Sequence, residues 1–123
     1  MLEKKNVNGV GLSRLKNAFL CSMAGFRYAV TQESAFRQEL LLVIPLLPLA
    51  FWVGDTTMER VVLISSLLLV LIVEIINSAV EAAIDRIGPE IHPLSRNAKD
   101  LGSAAVLLAL ANALVVWLLI VLY

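Results

Sequence analysis

Residues 101–123, LGSAAVLLALANALVVWLLIVLY, contain no charged side chain. Such a stretch is long enough to cross a bilayer with some tilt, and a chain inside hydrocarbon must satisfy its own backbone hydrogen bonds. It therefore reads as a transmembrane helix that begins near Ser95. Two more apolar segments precede it, 40–53 (LLLVIPLLPLAFWV) and about 60–84, and the helix-stop chemistry of GPEIHP at 88–93 ends the second. Apolar residues make up 59% of the chain and mean hydropathy is +0.85, above the roughly 45–50% apolar content of soluble domains. The expected fold is all-α and membrane-embedded, one domain over 1–123. An interfacial helix at about 7–30 should be followed by transmembrane helices at about 33–53, 60–86 and 96–121.

The apolar run at 40–53 is short. As a helix it rises about 21 Å against a hydrocarbon core of ~30 Å, so Phe36 and Glu39 must enter the membrane with it. Pro45 and Pro48 should kink this helix or leave carbonyls for neighbours to satisfy. Nearer the N-terminus, Leu12, Leu15, Phe19, Met23 and Phe26 recur at three- or four-residue spacing, flanked by Arg14, Lys16 and Arg27. That pattern fits a helix lying on anionic lipid with its basic stems reaching the headgroups; the plainer reading is an amphipathic helix folded onto its own protein. Gly25 offers a place for a bend. The first residues lack the apolar core of a signal peptide, so no cleavage is expected. Of the ten Lys and Arg residues, all but Arg60 fall before the first span or around the second connection. Three spans and that asymmetry put the N-terminus in the cytoplasm and the C-terminus outside, with Trp52, Trp117 and Tyr123 near the outer interface.

Several function classes drop out. The formal net charge is zero, so no global field recommends nucleic acid as a partner. Cys21 is the only cysteine, which excludes an intrachain disulfide framework or a cysteine metal cluster. No Walker loop is present, and the bare Gly9-Val10-Gly11 is too weak to indicate nucleotide binding.

Polar residues inside the second span carry the chemistry. At about 100° per residue, Glu74, Asn77, Glu81 and Asp85 fall within an arc of about 80°. Glu74 lies roughly 20 Å into the helix, so about 10 Å of hydrocarbon remains before the cytoplasmic interface. Glu81 should sit near that interface and Asp85 beyond it. An acidic residue at such depth costs ~2.5–3.5 kcal/mol on insertion scales, and residues of this kind usually face a site or a water-filled cavity. The alternative is interhelical glue, which suits Asn77 better than Glu74. Clustered carboxylates suit a hard cation such as Mg²⁺, often held together with substrate phosphates. Lys99 and Asp100 open the third span at a similar level, with Ser103 about a turn inward; Lys99 could bind phosphate or simply snorkel. Glu33 has Arg37 four residues on for a local ion pair, and it does not point to the same spot as Glu39. Ser65, Ser66 and Asn112 read as helix–helix or backbone hydrogen bonders, and Ala105, Ala109 and Ala113 as a close-packing face. By itself His92 is a surface residue between prolines.

The chain resembles the small bacterial integral-membrane diacylglycerol kinases. EIINSAVEAAID at 74–85 is similar to their signature Glu-x-x-Asn-Ser-x-x-Glu-x-x-x-Asp, and the likeness extends to ESAFRQE (33–39), RVVLISS (60–66), DRIG (85–88) and AKDLGSAAVL (98–107). What the resemblance implies is a homotrimer with shared active sites in the bacterial inner membrane, phosphorylating diacylglycerol to phosphatidic acid with MgATP. It makes Glu74 the catalytic base and Glu33 and Glu81 the metal ligands. Arg14, Lys99 and Asp100 become nucleotide-binding residues, as do Glu90 and His92 through the pattern Gly-x-Glu-x-His, and Glu39, Asn77, Asp85 and Ser103 line the site. Pro89 and Pro93 depart from the family pattern. A related branch that phosphorylates undecaprenol tends to carry histidine where Glu39 stands and other small residues in place of Gly102-Ser103, so those positions favour diacylglycerol here. The alternative from another class is a small proton or cation transporter, but the outer half of the second span offers only Ser65 and Ser66 as a polar route.

Overall fold

A computed structural model describes residues 10–123; residues 7–9 of the expected interfacial helix, and Lys4 and Lys5 of the orientation argument, lie outside them. The described chain is helical, with α1 at Leu12–Gln32, α2 at Ser34–Val53, α3 at Thr57–Ile87 and α4 at Pro93–Leu122. Helices α2, α3 and α4 are each long and apolar enough to cross a membrane. At 1.5 Å per residue α2 is about 30 Å long and α3 about 46 Å. The extra length of α3 leaves room for a polar end beyond a bilayer's hydrocarbon core.

The chain divides into two compact units, one ending at Ser34 and the other spanning Ala35–Tyr123. The first is essentially α1. It runs unbroken through Gly25, and Ala29 is its buried residue. Leu12, Leu15, Phe19, Met23 and Phe26 are all exposed on it.

Within the second unit the three helices run up, down and up. Helices α3 and α4 form the close interface. Asp85 near the end of α3 pairs with Lys99 near the start of α4, while Val62 and Ser65 share a surface cleft with Asn112 and Val116. Leu63, Ser66, Leu67, Val70, Glu74, Asn77 and Ser78 form the buried stripe of α3, spaced at one-, three- and four-residue intervals as one helix face requires. Leu63 is 0% exposed. Because lipid tails are as apolar as leucine, dispersion and shape rather than water exclusion hold this stripe in place. Ser66 Oγ donates to Leu63 O at 2.7 Å, which removes its polarity from the interface. Of the three alanines at four-residue spacing on α4, only Ala109 is buried.

The turns are built from caps. Thr56 Oγ1 accepts from Glu59 N at 3.1 Å, and Glu59 Oε1 accepts from Asp55 N at 2.8 Å, a reciprocal start for α3. Arg60 Nε donates to Phe51 O and Gly54 O at 3.1 and 3.0 Å, capturing carbonyls that α2 cannot use. Helix α2 continues through Pro45 and Pro48. Gly88, at φ 158°, ends α3.

Candidate functional site

The face of α3 that carries the acidic residues changes steadily in exposure. Glu74 is 4% exposed and Asn77 9%, Glu81 is half-buried, and the Asp85 side chain is 69% exposed. Helical spacing aligns the four, and the length of α3 carries the row from the unit's interior to its surface. Asn77 Nδ2 donates to Glu81 Oε2 at 3.5 Å, a long bond that links the middle of the row to its outer part.

Glu74 does not stand alone at the buried end. The Glu39 carboxyl on α2 faces it at close range. Helices α2 and α3 run antiparallel through a connection of a few residues, which brings the first part of α2 beside the last part of α3. Glu39 Oε1, Asn77 Oδ1 and Ser78 Oγ are buried without a hydrogen-bond partner among the described residues. Acceptor oxygens of this kind suit a hard cation, including one that carries a phosphate. Below Glu39 an apolar groove of about 280 Å³ runs between α2, α3 and α4, past Val43, Leu46, Leu67 and Ala113 to Trp117. Trp117 thus turns into the groove, whereas Trp52 and Tyr123 are exposed.

At the exposed end the row opens into a second cavity of about 320 Å³, formed by the end of α3, the connection and the first turns of α4. Asp85, Glu90, His92, Lys99 and Asp100 all line it, and so does Arg96. Lys99 Nζ donates to Asp85 Oδ1 at 2.9 Å, tying the two helix ends together across the cavity wall. His92 caps α4, with Nδ1 accepting from Leu94 N at 3.1 Å. In a neutral imidazole that places the proton on Nε2.

Arg14 and Glu33 belong to the N-terminal unit; Arg14 lines a surface hollow with Asn17, Ala18 and Cys21, and Glu33 closes α1 with its backbone N–H donating to Ala29 O at 3.1 Å. Ser103 is exposed on α4. Among the described residues no three His, Cys, Asp or Glu side chains converge into a ready-made metal site. Sequence reasoning counted Arg96 only as a topology charge, although its place on the first turn of α4 beside His92 was the available signal. It also missed the contact of Gly102 with Asn77. A Cβ at Gly102 would overlap Asn77 Oδ1, so the bare backbone of α4 lies directly against the Asn77 amide.

The family described as prokaryotic diacylglycerol kinase matches residues 20–121. This chain belongs to that family. The diacylglycerol kinase of Escherichia coli K12 is 49% identical over 110 residues, covering 89% of this chain and 90% of the relative. That of Pseudomonas aeruginosa is 50% identical over 112 residues, covering 91% of each. A more distant diacylglycerol kinase, from Helicobacter pylori 26695, is 39% identical over 107 residues, with 87% of this chain and 84% of the relative covered. As a prokaryotic diacylglycerol kinase family member the chain is a membrane kinase, and the matched region includes all of α2 and α3 and both ends of the acidic row.

Proposed function

We propose that this protein transfers the γ-phosphate of MgATP to the hydroxyl of diacylglycerol, giving phosphatidic acid at the cytoplasmic face of a bacterial inner membrane. The observation that carries the reading is the graded row on α3. One end is a buried carboxylate beside an apolar groove, and the other is a polar cavity at the helix ends. A membrane-held alcohol and a soluble nucleotide could each approach from its own medium.

In the reaction, Glu74 takes the proton of the lipid hydroxyl as that oxygen forms its bond to the γ-phosphorus. The bond from phosphorus to the bridging oxygen of ADP breaks, and ADP leaves with the electron pair. Phosphoryl transfer rests chiefly on positioning and charge stabilisation, so a base, a few oxygens and a lysine can suffice without a Walker loop. Glu39, facing Glu74 from α2, lines the site. Asn77 and Ser103 line the path. Mg²⁺, when bound, neutralises the phosphate oxygens. Glu81 and Glu33 would be its ligands, the role that the family resemblance gives both. Glu90, His92, Lys99 and Asp100 bind nucleotide at the polar cavity, which Asp85 also lines, and Arg14 keeps the nucleotide role that the family resemblance implies. In this reading α1 lies on the membrane surface, the N-terminus is cytoplasmic and the C-terminus external. The protein works as a homotrimer with shared sites, as the family resemblance implies; one three-span chain encloses little volume, so a site shared between subunits is physically sensible.

The test is Mg²⁺-dependent transfer of labelled γ-phosphate from ATP in mixed micelles, with diacylglycerol and undecaprenol compared, for the wild type and a folded Glu74→Gln variant. Transfer to diacylglycerol that falls by about 10²–10⁴-fold in the variant, the range for a general base, supports both reaction and base. Preference for undecaprenol overturns the proposed acceptor, and no transfer to either lipid sinks the kinase reading.

A further inference from the structure

Asn77 lies one helical turn above Glu74 and one below Glu81, midway along the row where the phosphoryl group must pass in the reading above. Its amide is buried, and two sides of it are accounted for. Nδ2 donates toward Glu81, and Oδ1 lies against the backbone of Gly102 with no hydrogen-bond partner among the described residues. A Cβ at Gly102 would overlap Oδ1 and approach Asn77 Cγ to 3.1 Å. The obstructing atoms are the end of a side chain rather than backbone, so the amide can swing aside while α3 and α4 stay packed.

We propose that Gly102 is a positioning residue for phosphoryl transfer. By lacking a side chain, it lets α4 hold the Asn77 amide between the base and Glu81. This rests on the kinase reading, but the contact itself is a statement about one amide. A methyl group there rotates the amide away from α4 toward the row, while the helix gains a residue of better propensity. Position and stability should therefore change in opposite senses.

The experiment makes Gly102→Ala, Asn77→Ala and the double variant in the full chain. It measures the melting temperature, kcat and KM for lipid phosphorylation, and the side-chain amide resonance of Asn77 in nitrogen-15-labelled protein. The expected result for Gly102→Ala is an unchanged or higher melting temperature, a displaced Asn77 amide resonance, and kcat lower by about 10–100-fold with KM for lipid within about threefold. In the Asn77→Ala background the same substitution should change kcat by less than about twofold, because the group it displaces is gone. Three results would overturn the proposal: an unmoved Asn77 resonance, effects on kcat that multiply in the double variant, or a Gly102→Ala protein that folds only when Asn77→Ala accompanies it. The last would make the contact structural. A wild type without lipid phosphorylation would refute the kinase reading instead, and the resonance would still report whether Gly102 places the amide.

Discussion

Lys99 is held by Asp85 at 2.9 Å on the wall of the polar cavity, and both side chains are substantially in water. Such a pair contributes little to stability, so its consequence should appear in ligand binding. Lys99→Met should raise the KM for ATP by about tenfold through the loss of one charge-assisted contact, with little change in melting temperature. Kinetics at varied ATP concentration check this, and an unchanged KM would remove Lys99 from the nucleotide site. Glu74 and Asp85 were assigned to opposite ends of one row by helical arithmetic alone. Glu39 opposite Glu74 and Gly102 against Asn77 were not legible that way, because each contact joins two helices and depends on how closely they approach.

Helix starts and stops are the local features that hold the spans in register. The start of α3 rests on Thr56 and Glu59 with their reciprocal bonds. Thr56→Ala should destabilise the protein by about 1 kcal/mol, read as a lower midpoint of thermal or denaturant unfolding in detergent, and activity per folded molecule should remain. At the other end of α3 the cap of α4 is His92, whose imidazole accepts from Leu94 N while the same residue lines the polar cavity. A residue that looks like bland surface in a proline-flanked loop thereby shapes the cavity mouth. Its sequence neighbours could not reveal this, since a capping histidine is set by the backbone angle at which the loop enters the helix. Helix α2 is a third case. Two prolines call for a kink or for carbonyls left to neighbours; the helix stays continuous from Ser34 to Val53, and Arg60 takes up the Phe51 and Gly54 carbonyls at its end.

For the molecule as a whole, the uneven placement of Lys and Arg leads to a topology that chemistry can test. Cys21 is exposed on α1, and Tyr123 ends the chain beyond α4. A membrane-impermeant maleimide should label Cys21 only in inverted vesicles. In a Cys21→Ser background, Tyr123→Cys should be labelled in intact cells whose outer barrier has been opened. The reverse pattern would overturn the proposed orientation and move the polar cavity to the wrong side for cytoplasmic nucleotide.

Three apolar helices, the break at 88–93 and the acidic face of α3 were determined by the sequence itself. Hydrocarbon length, backbone satisfaction and the helical period leave few other solutions for such a chain. Tertiary structure alone decided that Glu39 faces Glu74, that an apolar groove runs from Glu39 to Trp117, and that the loop gathers Asp85, Glu90, His92, Arg96, Lys99 and Asp100 around one cavity. Those arrangements depend on antiparallel register and on the distance between helix axes. Small groups such as Gly102 set that distance through contacts remote in sequence, which a pattern along one helix does not encode.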